Sequence, residues 1–103
     1  MEEIAMTITK TAENGVLNIA LEGRLDTNTA PQLEAELKNS LSGVTELDLD
    51  LSGLEYISSA GLRVLLAAQK AMNRQGRMTI HNVGETIMEV FEITGFVDIL
   101  TIV

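Results

Sequence analysis

The stretch LDLDLSGLEYISSAGLRVLL, residues 47–66, joins a strand pattern to a helix pattern through two adjacent serines. Leu47, Leu49 and Leu51 alternate with polar residues, which predicts a strand that ends near Leu51 and has one buried and one acidic face. After the serines the apolar residues follow a helical spacing, and this helix is predicted to end at Gly76. The stretch therefore predicts a strand–helix unit whose junction carries two hydroxyl groups.

Further strands are predicted on both sides of this unit. Alternating apolar residues at 6–9 and 17–22 flank the turn signal Asn14-Gly15, which is typical of a hairpin. On the carboxyl-terminal side, residues 78–81 alternate in the same way, and residues 99–102 predict a short final strand. The sheet is therefore expected to contain four or five strands.

Two further helices are predicted between these strands. Leucines at a spacing of four predict a helix over 30–41, and residues 29–32 have the Thr-x-x-Gln form of a capping box at its start. A third helix carries apolar residues at 87, 90 and 91 and is predicted to close at Gly95. Strands and helices thus alternate through the middle of the chain.

This alternation predicts the fold class. A strand, helix, strand order implies parallel strands joined by right-handed crossovers, and crossovers that step in one direction place their helices on one face. A sheet covered on both faces would have continuously apolar strands, whereas every strand here alternates. We expect one α/β domain over residues 1–103, an open-faced sandwich with a mixed four- to five-stranded sheet and helices packed on one face.

Composition narrows the classes of function. The chain has 103 residues, no cysteine, and 15 acidic against 7 basic side chains, for a net charge of −8. That charge opposes binding to nucleic acid or anionic lipid and favours a protein partner. The amino-terminal residues show neither a signal peptide nor an apolar anchor. We expect a cytoplasmic protein without membrane insertion, nucleic-acid binding or cofactor.

The paired serines at the helix start admit two interpretations. Serine is a favoured N-cap, so one of Ser58 and Ser59 is expected only to bind a first-turn amide. Two hydroxyls exceed what a cap needs. A phosphate on Ser59 would lie over the amides of Ala60, Gly61 and Leu62, where the helix dipole favours an anion. The serine pair is therefore a candidate switch site.

Catalytic and metal-binding interpretations are weaker. The nucleophile elbow G-x-S-x-G would need a second glycine before Ser59, and the single histidine, His81, is predicted on the outward face of a strand. Glu46, Asp48 and Asp50 project from one strand face, but alternate strand residues lie too far apart to bind one ion by themselves. We expect no catalytic residue, no metal site and no enzymatic activity.

Three segments follow one another in the order and spacing of a known family. They are GRLDTNTAPQLEAEL at 23–37, the stretch at 47–66, and VFEITGFVDIL at 90–100. Together they resemble the signatures of bacterial anti-sigma-factor antagonists, which are STAS-domain proteins. The resemblance covers almost the whole chain and implies a STAS-like fold.

The resemblance also implies a mechanism. In that family a serine is phosphorylated by a partner that is both a serine kinase and an anti-sigma factor, and a phosphatase removes the phosphate. The aligned serine is Ser59, although the family's preceding acidic residue is Ser58 here. The unphosphorylated form is expected to bind the anti-sigma factor and release a sigma factor. The expected partner-binding residues are Asp26, Thr27, Asn28, Tyr56, Ser58, Ser59, Gly61 and Arg63.

A second interpretation comes from the same resemblance. STAS domains also serve as subunits of transport and sensory assemblies, and in such a constitutive adaptor both serines would only cap the helix. Neighbouring genes for a serine kinase and a sigma factor would favour the switch, whereas transporter genes would favour the adaptor.

Overall fold

The structure is a computed structural model that describes residues 6–103. Its strands are β1 Met6–Glu13, β2 Val16–Leu25, β3 Glu46–Ile57 and β4 Arg77–His81. Its helices are α1 Ala30–Ser40, α2 Ser59–Gln75 and α3 Glu85–Thr94, followed by a short 3-10 helix at Phe96–Asp98. The predicted elements are thus present, apart from the final strand. Residues 1–5 of the predicted single domain lie outside the described residues.

The four strands form one mixed sheet in the order β1-β2-β3-β4. β1 and β2 are antiparallel, and β2, β3 and β4 are parallel. The prediction of a strand over 99–102 is wrong, because this segment forms only a single β-bridge, between Ile102 and Ile80. The preceding residues are held instead by the turn bonds of the 3-10 helix, such as that from the Ile99 amide to the Phe96 carbonyl.

The hairpin between β1 and β2 closes as the sequence predicts. Asn14 and Gly15 have φ of 52° and 81°, the left-handed values that both central residues of a type I′ turn require. Asparagine and glycine adopt this region at low cost, which explains why the dipeptide specifies the turn.

The two faces of the sheet differ in polarity. Ile19, Leu49 and Ile80 lie side by side across β2, β3 and β4, and all three are buried in the core that the helices cover. One residue earlier along β2 and β3, Asn18 is exposed and Asp48 is half-buried on the opposite face. Both crossovers step in the same direction across the sheet. The predicted open-faced arrangement is therefore confirmed.

β3 continues beyond its predicted end at Leu51. Residues 20–24 of β2 lie opposite residues 50–56 of β3, so β3 holds two extra residues, as in β-bulges. The Asp50 carboxylate accepts a hydrogen bond at 2.9 Å from the backbone amide of Ser52, which gives a partner to an amide inside the first bulge. The bulges carry the end of β3 directly to the start of α2.

β1 is an edge strand that is tied to α1. The Lys10 ammonium lies 2.7 Å from a carboxylate oxygen of Glu36 and donates a hydrogen bond at 3.0 Å to the Ser40 hydroxyl. Lys10 pairs with the core residue Ile19, so its side chain leaves the strand on the helix side of the sheet. Within residues 6–103, no helix is both long and apolar enough to cross a membrane.

Candidate functional site

The candidate site lies at the carboxyl ends of β2 and β3, where α1 and α2 begin. The Ser58 amide donates a hydrogen bond at 2.9 Å to the Leu25 carbonyl, which fixes the two strand ends side by side. A concavity of about 220 Å³ is lined by Thr27 and Pro31 near the first junction and by Ala60 and Arg63 near the second. The structure thus brings together the two segments that the sequence singles out, 26–28 and 56–63.

The β3–α2 junction gives its two serines different positions. Ser58 is the N-cap, with extended backbone angles, and its hydroxyl oxygen accepts a hydrogen bond at 3.4 Å from the Gly61 amide. Ser59 is the first residue of α2 and is exposed, and its hydroxyl has no hydrogen-bond partner within residues 6–103. The prediction that one of the serines caps the helix is confirmed, and that residue is Ser58.

The first-turn amides are less available than predicted. The Leu62 amide donates to the Ser58 carbonyl at 2.9 Å, and the Gly61 amide is bound by the Ser58 hydroxyl. Of the three amides expected to face a phosphate, only that of Ala60 has no partner in the described part of the chain. The capping serine and the helix itself already bind the amides of Gly61 and Leu62, so among the described residues only the Ala60 amide is left for a phosphate at this position.

Gly61 allows α2 to approach β2. A Cβ atom at this position would lie 2.7 Å from Leu25 Cγ, 2.9 Å from Ile57 Cγ1 and 3.0 Å from the Leu25 carbonyl oxygen. Real Cβ atoms do not make carbon contacts this short, so any larger residue must push the helix away from the strands. Gly61 itself is buried. It serves the site by packing and offers no exposed surface to a partner.

The β2–α1 junction is closed by its own side chains. Asp26 Oδ1 accepts hydrogen bonds from the backbone amides of Asn28 at 3.0 Å and Thr29 at 3.1 Å. Partial burial raises the pKa of Asp26, but these hydrogen bonds and the nearby Arg24 charge outweigh it and hold the pKa below its ordinary value. One oxygen of Asp26 is therefore committed to shaping the loop.

Thr29 is buried and joins the loop to β2. Its hydroxyl donates to the Arg24 carbonyl at 2.7 Å and accepts from the Asp26 amide at 2.8 Å. It makes no side-chain bond to a first-turn amide of α1. The predicted capping box is therefore wrong: Thr29 is the residue before the helix, but its hydroxyl turns back to the strand end.

Arg24 is a residue that the sequence did not single out. Its guanidinium lies 4.1 Å from the centre of the Tyr56 ring, and its Nε lies 3.6 Å from Asp26 Oδ2. Arg24 and Tyr56 face each other across β2 and β3 only because of the bulges in β3. Arginine over an aromatic ring is a cation–π pair. The available signal was the Arg-x-Asp spacing of residues 24–26, which gave no hint of the tyrosine.

The predicted site residues differ in exposure. Thr27, Asn28, Ser59 and Arg63 are exposed, and Tyr56 is 39% exposed. Asp26 and Ser58 are half-buried. The surface that a partner can reach therefore consists of the two loop residues, the tyrosine and the first turn of α2.

The open sheet face shows no metal centre. Within residues 6–103 no group of three or more His, Cys, Asp or Glu side chains is placed to hold a metal ion. His81 lies on this face as predicted, with its Nε2 3.1 Å from the Thr79 hydroxyl and 3.5 Å from Asp48 Oδ1. The first contact lies within β4, and the second joins β4 to β3.

Comparison with known proteins gives one consistent family. The model of a family described as "Mlab, STAS domain" matches residues 7–101. A Bordetella bronchiseptica protein named as a candidate anti-sigma factor antagonist, BtrV, is 39% identical over 94% of this chain and 85% of its own. The anti-sigma-B factor antagonist of Listeria monocytogenes is 32% identical, over 84% of this chain and 77% of its own.

A solved structure agrees with the fold. The crystal structure of an anti-sigma factor antagonist from Mycobacterium paratuberculosis superposes with a TM-score of 0.85 at 23% sequence identity, over 94% of this chain and 84% of that one. The strand order, the helices on one face and the open opposite face are those of a STAS domain. The chain belongs to the STAS-domain family, and its curated relatives are anti-sigma factor antagonists.

Proposed function

We propose that this protein is an anti-sigma-factor antagonist that works as a phosphorylation-controlled partner switch. Its unphosphorylated form binds an anti-sigma factor that is also a serine kinase, and so releases a sigma factor. The role is that of a binding protein in the cytoplasm, without catalysis of its own. The single observation that carries the proposal is the difference between Ser58, which caps α2, and Ser59, which is exposed and whose hydroxyl has no hydrogen-bond partner within residues 6–103.

Phosphorylation of Ser59 would change the surface without rearranging the fold. A phosphoserine adds about −1.5 to −2 charges at neutral pH. The amino-terminal end of α2 favours an anion, and the Ala60 amide is available to it. Arg63 lies one helical turn after Ser59, is exposed and forms no ion pair within the described residues. The helix cap at Ser58 is untouched by the modification.

The partner surface that we propose surrounds this serine. Asp26, Thr27 and Asn28 border it on one side, and Tyr56, Ser58 and Arg63 lie around it on α2 and the end of β3. Tyrosine and arginine are enriched among residues that dominate binding energy at protein interfaces. Added charge at the centre of such a surface must be desolvated on binding, which weakens the complex.

The modification is tested by incubating the protein with its cognate serine kinase and ATP. We expect mass spectrometry to detect a single phosphate on the wild type and on Ser58→Ala, and none on Ser59→Ala. A phosphoserine phosphatase should restore the starting mass. Phosphate on Ser58 in the Ser59→Ala variant would contradict the assignment.

The consequence for binding is tested separately. Ser59→Ala should bind the anti-sigma factor as the wild type does, because the surface loses only a hydroxyl. Ser59→Asp should bind more weakly, and the phosphorylated protein should bind more weakly still, since aspartate carries less charge than phosphate. Equal affinity of the phosphorylated and unphosphorylated proteins in isothermal titration calorimetry would refute the switch.

A second candidate function is a constitutive adaptor subunit of a transport or sensory complex. One observation favours it: Ser58 stands where the family has an acidic residue before the phosphorylated serine. An adaptor would bind its partner equally well with Ser59 phosphorylated, unphosphorylated or replaced by alanine. The binding measurements above therefore distinguish the two functions.

A further inference from the structure

The large apolar side chains that are exposed in the described chain are concentrated in two places. Five large hydrophobic residues are exposed, and one of them, Tyr56, belongs to the candidate site. The other four lie within residues 93–103 and form what we call the C-terminal apolar surface: Ile93 at 86% exposure, Val97 at 36%, Ile99 at 46% and Val103 at 66%. A single exposed apolar residue is ordinary, but four in one short segment indicate a binding surface.

The position of Ile93 shows that its side chain is not a partly exposed member of the core. The buried residues of α3 are Ile87 and Phe91. At 3.6 residues per turn, Ile93 lies roughly 200° around the helix from Phe91, on the solvent side. Three glutamates occupy the same exposed side of the helix, and Ile93 contributes nothing to the core.

Charge identifies the kind of partner that this surface fits. Residues 82–103 contain four acidic side chains and no lysine or arginine. Glu92 directly precedes Ile93, and Asp98 lies between Val97 and Ile99. None of these acids forms an ion pair within residues 6–103; they are Glu85, Glu89, Glu92 and Asp98. Basic side chains of a partner would complement them.

We propose that the C-terminal apolar surface binds a basic amphipathic segment of a protein partner. Apolar side chains of that segment cover Ile93 and its three apolar neighbours, and its lysines or arginines meet the acidic rim. A second copy of this chain would bring the same acids against each other, and an anionic membrane would repel them. None of its four residues belongs to the segments 26–28 and 56–63 of the candidate site, so the proposal goes beyond the proposed switch and does not depend on it.

The proposal is tested on the full unmodified chain with a synthetic amphipathic peptide of leucine and lysine in helical spacing. Titration into the isotope-labelled protein should shift the amide NMR signals of residues 89–103. Affinity should fall as salt rises, because the rim charges are screened. The double variant Ile93→Ser/Ile99→Ser keeps the net charge and should bind the peptide at least about tenfold more weakly, since it removes two apolar contacts.

The control is Ala35→Ser, which changes an exposed apolar position on α1 and should leave peptide binding unchanged. Both variants alter exposed side chains, and their thermal unfolding should match the wild type. Equal binding by the double variant, or shifts centred on the acidic open sheet face, would mean general charge attraction and would overturn the proposal. Sedimentation that shows a dimer abolished by the double variant would also overturn it, in favour of a second copy as the occupant.

Discussion

The two strand-to-helix junctions at the carboxyl edge of the sheet use their side-chain oxygens in opposite ways. Between β2 and α1, Asp26 Oδ1 and the Thr29 hydroxyl bind backbone groups of the loop and of the end of β2. Between β3 and α2 there is no loop, Ser58 makes one capping bond, and Ser59 makes none among the described residues. The first junction is held by hydrogen bonds and the second by close packing at Gly61. The exposed hydroxyl of Ser59 therefore makes no bond that holds the second junction together within residues 6–103.

The strongest test of this comparison is Gly61→Ala. The new Cβ would meet two core side chains and a backbone oxygen, so we expect a loss of unfolding free energy at the upper end of about 1 to 3 kcal/mol in urea titrations. Gly84→Ala is the matched control, because nothing lies within 4 Å of a Cβ there and its φ is −71°. Equal stability of the two variants would mean that packing does not define the second junction.

The first junction is tested by Thr29→Val, which keeps the shape of the side chain and removes the hydroxyl. We expect a loss of about 1 to 2 kcal/mol, because the Arg24 carbonyl and the Asp26 amide, both part-buried, lose their partner. Thr29→Ser retains the hydroxyl and should lose less. A smaller loss for Thr29→Val than for Thr29→Ser in the same titration would show that the methyl group matters more than the hydrogen bonds.

The two serines should differ in how much each contributes to stability, although both effects are smaller than those above. Ser58→Ala removes the cap of α2 and should cost about 0.5 to 1 kcal/mol, the lower part of the usual range, since its bond is long at 3.4 Å. Ser59→Ala should change the unfolding free energy by less than about 0.5 kcal/mol, as expected of an exposed position. Reversal of this order would mean that Ser59 is the structural residue.

The smallest effect concerns the charge of Asp26. Because its pKa in the fold lies below the ordinary value of 3.8, its ionised form stabilises the protein fully above pH 3.8. That contribution is lost as the pH falls through the lower folded pKa. The stability difference between wild type and Asp26→Asn should therefore be constant near neutral pH and shrink below pH 3.8. A difference that grows on acidification would contradict the hydrogen-bonded carboxylate seen in the loop.

Local signals in the sequence were sufficient for most of the fold. Asn14-Gly15 specifies its own turn, and the alternation of Leu47 and Leu49 assigns the two faces of β3, because each depends only on neighbouring residues. The end of β3 could not be predicted, since Leu51, Leu54 and Ile57 recur at a spacing of three. Each bulge adds one residue to β3, so side chains three positions apart face the same side of the sheet, and these three all stay buried.

The candidate site, too, could be predicted only in part, because some of its contacts depend on more than neighbouring residues. The sequence predicted that the serine pair lies at a strand-to-helix junction, which the structure confirms, but it did not decide which serine caps the helix. The backbone conformation decides it, because Ser58 has the extended angles of an N-cap and Ser59 is already helical. Arg24 was missed, since its contact with Tyr56 depends on the register of β2 and β3 after both bulges. The capping-box pattern at Thr29 was misleading because a closer carbonyl at the end of β2 takes the hydroxyl.

The contact of Lys10 with Glu36 has a consequence for how the molecules behave in a concentrated solution. β1 is an open edge, and a strand with free backbone groups can pair with another chain and start aggregation. A chain that added a strand there would have to pack beside an ammonium and a carboxylate on the helix side of the sheet. Removing these charges from water is unfavourable, so the pair that ties β1 to α1 also discourages edge-to-edge assembly.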